Sequence, residues 1–141
     1  MNLVDANVLL YAVNEDARHH VSAKRWLDDA LNGSSSVGFP WISLLAFLRL
    51  STKVGLFPTP LPVTQALSII DTWTGAPSAM VVHPTTKHFE HLRELISFAG
   101  TGGNLVSDAH LAALALEHRA TVITYDADFT RFPGVRSERP L

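Results

Sequence analysis

Residues 120–128 read Ala120-Thr121-Val122-Ile123-Thr124-Tyr125-Asp126-Ala127-Asp128, a short apolar run that ends on a hydroxyl and two acids. The residues before it, Leu105–His118, form the most Ala/Leu-rich stretch of the chain and are predicted helical. Helix, buried strand and a turn carrying carboxylates therefore follow one another. The N-terminus repeats the theme, since Asn2–Asp5 is a short apolar segment ending in an acid. Val8–Val13 continues it with apolar residues until Asn14-Glu15-Asp16, which predicts a strand leading into a turn or short helix.

Between these ends the pattern keeps alternating. His20–Leu31 sets Val21, Ala23, Trp26, Leu27 and Leu31 at helical spacing against Lys24, Arg25, Asp28 and Asp29. Val37–Ile42 is a second candidate strand, with Pro40 near its end, and Ser43 is placed to cap a helix running to about Leu50. The proline-rich stretch 57–62 is a stiff connection. Helices are predicted over Val63–Trp73, with Thr64 as cap, and over Thr86–Phe98; Met80–Val82 is a short buried strand, and a last one is expected near Val135. Strands alternating with helices call for a parallel sheet covered on both faces. The fold expected is a three-layer α/β/α sandwich with a central, mainly parallel sheet, and residues 1–141 are expected to form a single domain.

Composition narrows the function classes. Charged residues make up 17% of the chain and apolar residues 47%, against about 25% charged in an average globular protein. So little charge predicts apolar surface facing a partner chain. Cysteine is absent, which removes disulfides, thiolate catalysis and thiolate-bound zinc and suits a reducing cytoplasm. Neither a secretory leader nor a membrane span is expected. Eleven Lys and Arg against 13 Asp and Glu give a net charge of −2, so bulk charge offers no basic surplus for nucleic acid.

The acids are few, and their positions carry the chemistry. Asp5 ends the first strand, while Asp126 and Asp128 follow the strand that closes at Thr124. Ligands of open parallel sheets bind beyond the carboxyl ends of the strands, where these three would converge. Asp108 falls in the first turn of the Ala/Leu helix, where the helix dipole favours an acid whose side chain leans back toward the same edge. Carboxylates brought so close repel unless a cation lies between them. Oxygen ligands select a hard divalent ion, Mg2+ or Mn2+, which would activate water for attack on a phosphodiester. Taken singly, each acid also suits a cap, a helix start or a turn.

Three segments then resemble a known family: Leu3-Val4-Asp5-Ala6-Asn7-Val8-Leu9-Leu10, Ser107-Asp108-Ala109-His110-Leu111-Ala112-Ala113 and Thr124-Tyr125-Asp126-Ala127-Asp128-Phe129. In order and spacing they are similar to the acidic motifs of PIN-domain proteins, more narrowly the VapC toxins of VapBC toxin–antitoxin modules. Phe47-Leu48-Arg49-Leu50-Ser51-Thr52 and Phe132-Pro133-Gly134 resemble a branch abundant in mycobacteria. The resemblance spans essentially the whole chain. It implies an endoribonuclease dependent on Mg2+, with Mn2+ as substitute, that cuts tRNA or rRNA to stop growth and is silenced by a VapB-type antitoxin, usually as a homodimer. Asp5, Asp108 and Asp126 match the catalytic and metal-holding acids, Asp128 an auxiliary metal acid, and Asn7 and Thr124 supporting positions. The departure is at Ala46, where many members carry a Glu; it favours one metal over two and leaves a catalytically weak RNA- or protein-binding scaffold as the alternative.

Arg49 and Lys53, four apart on one predicted helix, are the candidates for touching RNA phosphate. Adjacent His19 and His20 diverge, and His88 and His91 lack an acidic strand end beside them, so no zinc site is read. His110 is assigned to a face away from Asp108. The segment Gly100-Thr101-Gly102-Gly103 lacks the Gly-Lys-Ser/Thr ending of a phosphate loop and is read as a mobile loop.

Overall fold

Leu3 and Val4 have no exposed surface and point to opposite faces of the sheet, into two separate cores. Val122 and Ile123 divide in the same way. This alternation within very short strands sets the architecture of the computed structural model, which describes residues 1–141. Five strands, β1 (Asn2–Val4), β2 (Val37–Pro40), β3 (Ala79–Val82), β4 (Thr121–Ile123) and β5 (Arg136–Glu138), lie in the order β3-β2-β1-β4-β5. Every pairing is parallel, so the sheet is wholly parallel and not merely mainly so.

Helices α1 (Ala6–Val13), α2 (His20–Leu31), α3 (Trp41–Ser51) and α4 (Val63–Thr74) supply buried side chains to one core, including Val8, Leu27, Phe47 and Trp73. Helices α5 (His88–Ala99) and α6 (Leu105–Glu117) pack on the other face, joined by Phe129 from the short 3-10 segment Ala127–Arg131 and by Phe132. Helix α6 buries Leu105, Ala109 and every residue from Leu111 to Ala115, which is why it reads as continuous Ala and Leu. No helix is long and apolar enough to cross a membrane.

The short helix expected after Asp5 runs from Ala6 on, and the Asp5 carboxylate accepts the Ala6 N–H at 2.7 Å and caps it. Two local expectations are corrected. Neither Ser43 nor Thr64 caps a helix: α3 and α4 start directly after Pro40 and Pro62, whose extended backbones set the entry without a side-chain bond. Ser43 is instead a buried residue inside α3. Lys53 lies beyond the end of α3 at Ser51, so it does not share that helix with Arg49.

Candidate active site

Strands β1 and β4 are neighbours at the centre of the sheet, with Val4 opposite Ile123. The chain leaves both strands on the same edge, and the Asp5 N–H donates to the Ile123 carbonyl at 3.0 Å. Asp5 thus meets Thr124 beyond the carboxyl ends of the strands, at the point where successive connections diverge to either side.

Thr124, 4% exposed, is the hub. Its hydroxyl donates to Asp5 Oδ2 at 2.8 Å and accepts from Asn7 Nδ2 at 3.2 Å and from the Asp126 N–H at 3.0 Å. Asn7 closes the ring, since its Oδ1 accepts the Tyr125 N–H at 3.2 Å. Asp126 Oδ1 accepts the Asp128 N–H at 2.8 Å and so shapes the turn that carries both acids. The two residues expected to support the site are therefore the ones that fasten Asp5 to the Asp126 turn.

Carboxylate oxygens of Asp108, Asp126 and Asp128 lie within 4.8 Å of one another. Asp5 stands outside that triplet but within its field. Burial raises the Asp5 carboxyl above its ordinary range, against the lowering effect of the Thr124 and Ala6 hydrogen bonds, and Asp126 adds repulsion. Burial also raises Asp108, together with repulsion from Asp126, Asp5 and Asp128, to about 6. The four acids repel one another and have no cationic side chain in an ion pair with them, an arrangement that a bound cation would relieve. An all-oxygen donor set fits a hard divalent ion and not a thiophilic one.

Asp5 and Asp108 open onto a cleft of about 760 Å³ between α3 and α6. Of the two candidates for RNA phosphate, Arg49 lies on the cleft wall and Lys53 does not line it. Ala46, where many members of the resembled family carry a glutamate, lines the same cleft as Asp5 and Asp108. Ser43 was missed by sequence reasoning: it lines the same cleft, and its buried hydroxyl has no hydrogen-bond partner. His110 turns away from the acids to meet His88 Nε2 at 2.8 Å, and His88 in turn pairs with Glu117. That carboxylate on α6 is far from His88 in sequence, which hid the pairing.

A five-stranded parallel sheet between two helical layers, with acids converging at its central edge, defines an α/β/α domain with an acidic cluster at the carboxyl ends of its strands. The family model described as "PIN domain" matches residues 3–135. The chain is 57% identical over 140 residues to Ribonuclease VapC37 of Mycobacterium tuberculosis, covering 99% of this chain and 97% of that protein. It is 37% identical to Ribonuclease VapC43 of the same species, with 100% and 96% covered. Among solved structures, VapBC2 from Rickettsia felis, bound to a promoter DNA fragment, superposes with a TM-score of 0.72 at 20% identity over 98% of this chain and 97% of that one. The sarcin-ricin loop cleaving toxin VapC20 of M. tuberculosis gives 0.70 at 19%, over 96% and 99%; likeness at this identity speaks for the fold alone. The chain belongs to the PIN-domain family, in its VapC branch.

Proposed function

We propose that the protein is the toxin of a type II toxin–antitoxin module, an endoribonuclease that depends on Mg2+, or Mn2+ in its place, and cuts tRNA or rRNA in the cytoplasm. The observation that carries this reading is the convergence of Asp108, Asp126 and Asp128 within 4.8 Å, with Asp5 locked beside them by Thr124. Full-length identity to ribonucleases of the VapC branch supports the choice of RNA.

Asp5, Asp108 and Asp126 would hold the cation, with Asp128 tuning it. When bound, the cation supplies neutralisation of the scissile phosphate and activation of water for its attack. Thr124 keeps the Asp5 carboxylate at a fixed angle, and Asn7 ties that carboxylate to the turn bearing Asp126. Arg49 is placed on the cleft wall to take a phosphate oxygen. With Ala46 contributing no carboxylate, one cation per chain is the stoichiometry the donor set supports.

The cleft also explains inhibition. Its walls are largely apolar, through Ile42, Leu45, Leu48 and Val63, and it ends on two acids. Trp41, Leu45 and Leu67 stand exposed on the adjoining faces of α3 and α4. A VapB-type antitoxin with an amphipathic tail bearing arginine would cover the apolar wall and neutralise the acids. Several solved relatives of this fold are toxin–antitoxin complexes, and the exposed apolar surface also suits a homodimer.

The Asp108 carboxylate accepts no hydrogen bond from the protein, so Asp108→Asn tests the site with little risk to the fold. RNA cleavage is expected to fall by at least about 100-fold with an unchanged circular dichroism spectrum. Wild-type cleavage by that variant would contradict the assignment of Asp108 to the site, whereas a wild-type chain with no Mg2+-dependent cleavage of any RNA would leave a binding scaffold as the better description.

A further inference from the structure

Tyr125 separates Thr124 from Asp126, and its ring turns away from the acids toward α1 and α2. Tyr11 meets it edge-on at 5.3 Å, and its hydroxyl lies 2.6 Å from Ser22 Oγ. Both contacts hold the ring rigidly. Over it lies the His19 imidazole, stacked at 4.5 Å with 13° between the planes. The Arg139 guanidinium also overlies Tyr125, at 5.2 Å, and donates from Nη2 to His19 Nε2 at 3.2 Å. Imidazole and guanidinium are therefore joined edge to edge in a layer above the tyrosine, half-exposed at His19 and exposed at Arg139.

This arrangement has no structural need for its charges. The ion pairs of the chain are Lys24 with Asp28 and His88 with Glu117, so neither Arg139 nor the neighbouring Arg18 has a carboxylate partner. Accepting from Arg139 at Nε2 leaves the His19 proton on Nδ1 and the ring neutral. Flat π surfaces bordered by free guanidinium groups are what single-stranded nucleic acid binds, through base stacking and phosphate contact. The cleft with Arg49 opens at Asp5 and Asp108, while this layer rests on Tyr125, the chain neighbour of Asp126.

We propose that Tyr125, His19 and Arg139 form a stacking subsite for one unpaired nucleobase of the RNA, next to the scissile phosphodiester, with Arg18 and Arg139 offering contacts to its phosphate. The subsite rests on the nuclease reading above. It gives the protein a second grip on the strand, outside the Arg49 cleft, and selects RNA segments that can present an extruded base.

The test uses the full chain in EDTA with a short single-stranded RNA of mixed sequence that carries 2-aminopurine at one position, moved along the strand. Quenching on binding reports stacking. Wild type is expected to quench the probe at a favoured position. His19→Ala and Arg139→Ala should each relieve that quenching and weaken binding by about tenfold, whereas His19→Phe, which keeps a flat surface, should retain both. Melting temperatures accompany each variant, and the phenylalanine variant keeps the test decisive if an alanine variant unfolds. Unchanged quenching and affinity in folded alanine variants would overturn the subsite while wild-type cleavage of RNA with Mg2+ left the nuclease reading standing. Loss of stacking in His19→Phe equal to that in His19→Ala would also overturn it. A wild-type chain that neither binds nor cuts RNA would instead remove the nuclease reading itself.

Discussion

Asp108 carries the clearest pH signature of any residue in the site. Its carboxyl is raised to about 6 in the fold, from an ordinary 3.8, by burial and by the three neighbouring acids. The folded state thus holds this proton more tightly than the unfolded chain. The resulting stabilisation is complete below about pH 4 and is lost as pH rises through about 6. Without divalent cation, Asp108→Asn is expected to melt higher than wild type at pH 7.5 and to lose most of that advantage near pH 4. Thermal melts in EDTA across this range check the sign, and adding Mg2+ should close the gap by stabilising wild type more. Thr124 makes a complementary prediction. Thr124→Val keeps the shape but leaves Asp5, Asn7 and the Asp126 N–H without their shared partner. A cost of about 1–3 kcal/mol in urea unfolding is expected, together with slower RNA cleavage.

At the scale of elements, β2 is squeezed between β1 and β3, and Gly38 is the residue that permits it. A Cβ there would lie 2.5 Å from Leu3 Cδ2 and 2.7 Å from Val82 Cγ2. Gly38→Ala should therefore destabilise the protein by about 1–3 kcal/mol, measurable as a lower urea midpoint, although the residue touches no acid. The elements themselves were largely legible. The helix over His20–Leu31 has the expected bounds and buries Ala23 and Leu27 of its apolar face, although Val21 of that face is exposed, and Leu105–Glu117 follows from its Ala and Leu content. Strands of three or four residues are too short to show a period of two, so the division of Leu3 and Val4 between two cores could not be read. Caps were misjudged because Ser43 and Thr64 looked like N-cap side chains, whereas Pro40 and Pro62 set the helix starts through backbone geometry.

For the whole molecule, the acids were legible because strand ends and a helix start are positions that sequence can mark. What sequence could not show is whatever depends on distant segments meeting. His19 and Arg139 touch across a separation of 120 residues, and Ser43 enters the cleft only because α3 turns that face toward α6. The net charge of −2, which seemed to weigh against RNA, describes one edge of the sheet where four of the acids gather. The most direct measurement is cleavage of an end-labelled RNA by the purified chain in EDTA, followed by titration of Mg2+ into the same reaction. No cleavage is expected in EDTA, and activity should return with a titration curve that saturates as a single cation per chain. Undiminished cleavage in EDTA would contradict the assignment of Asp5, Asp108 and Asp126 to a metal-dependent nuclease.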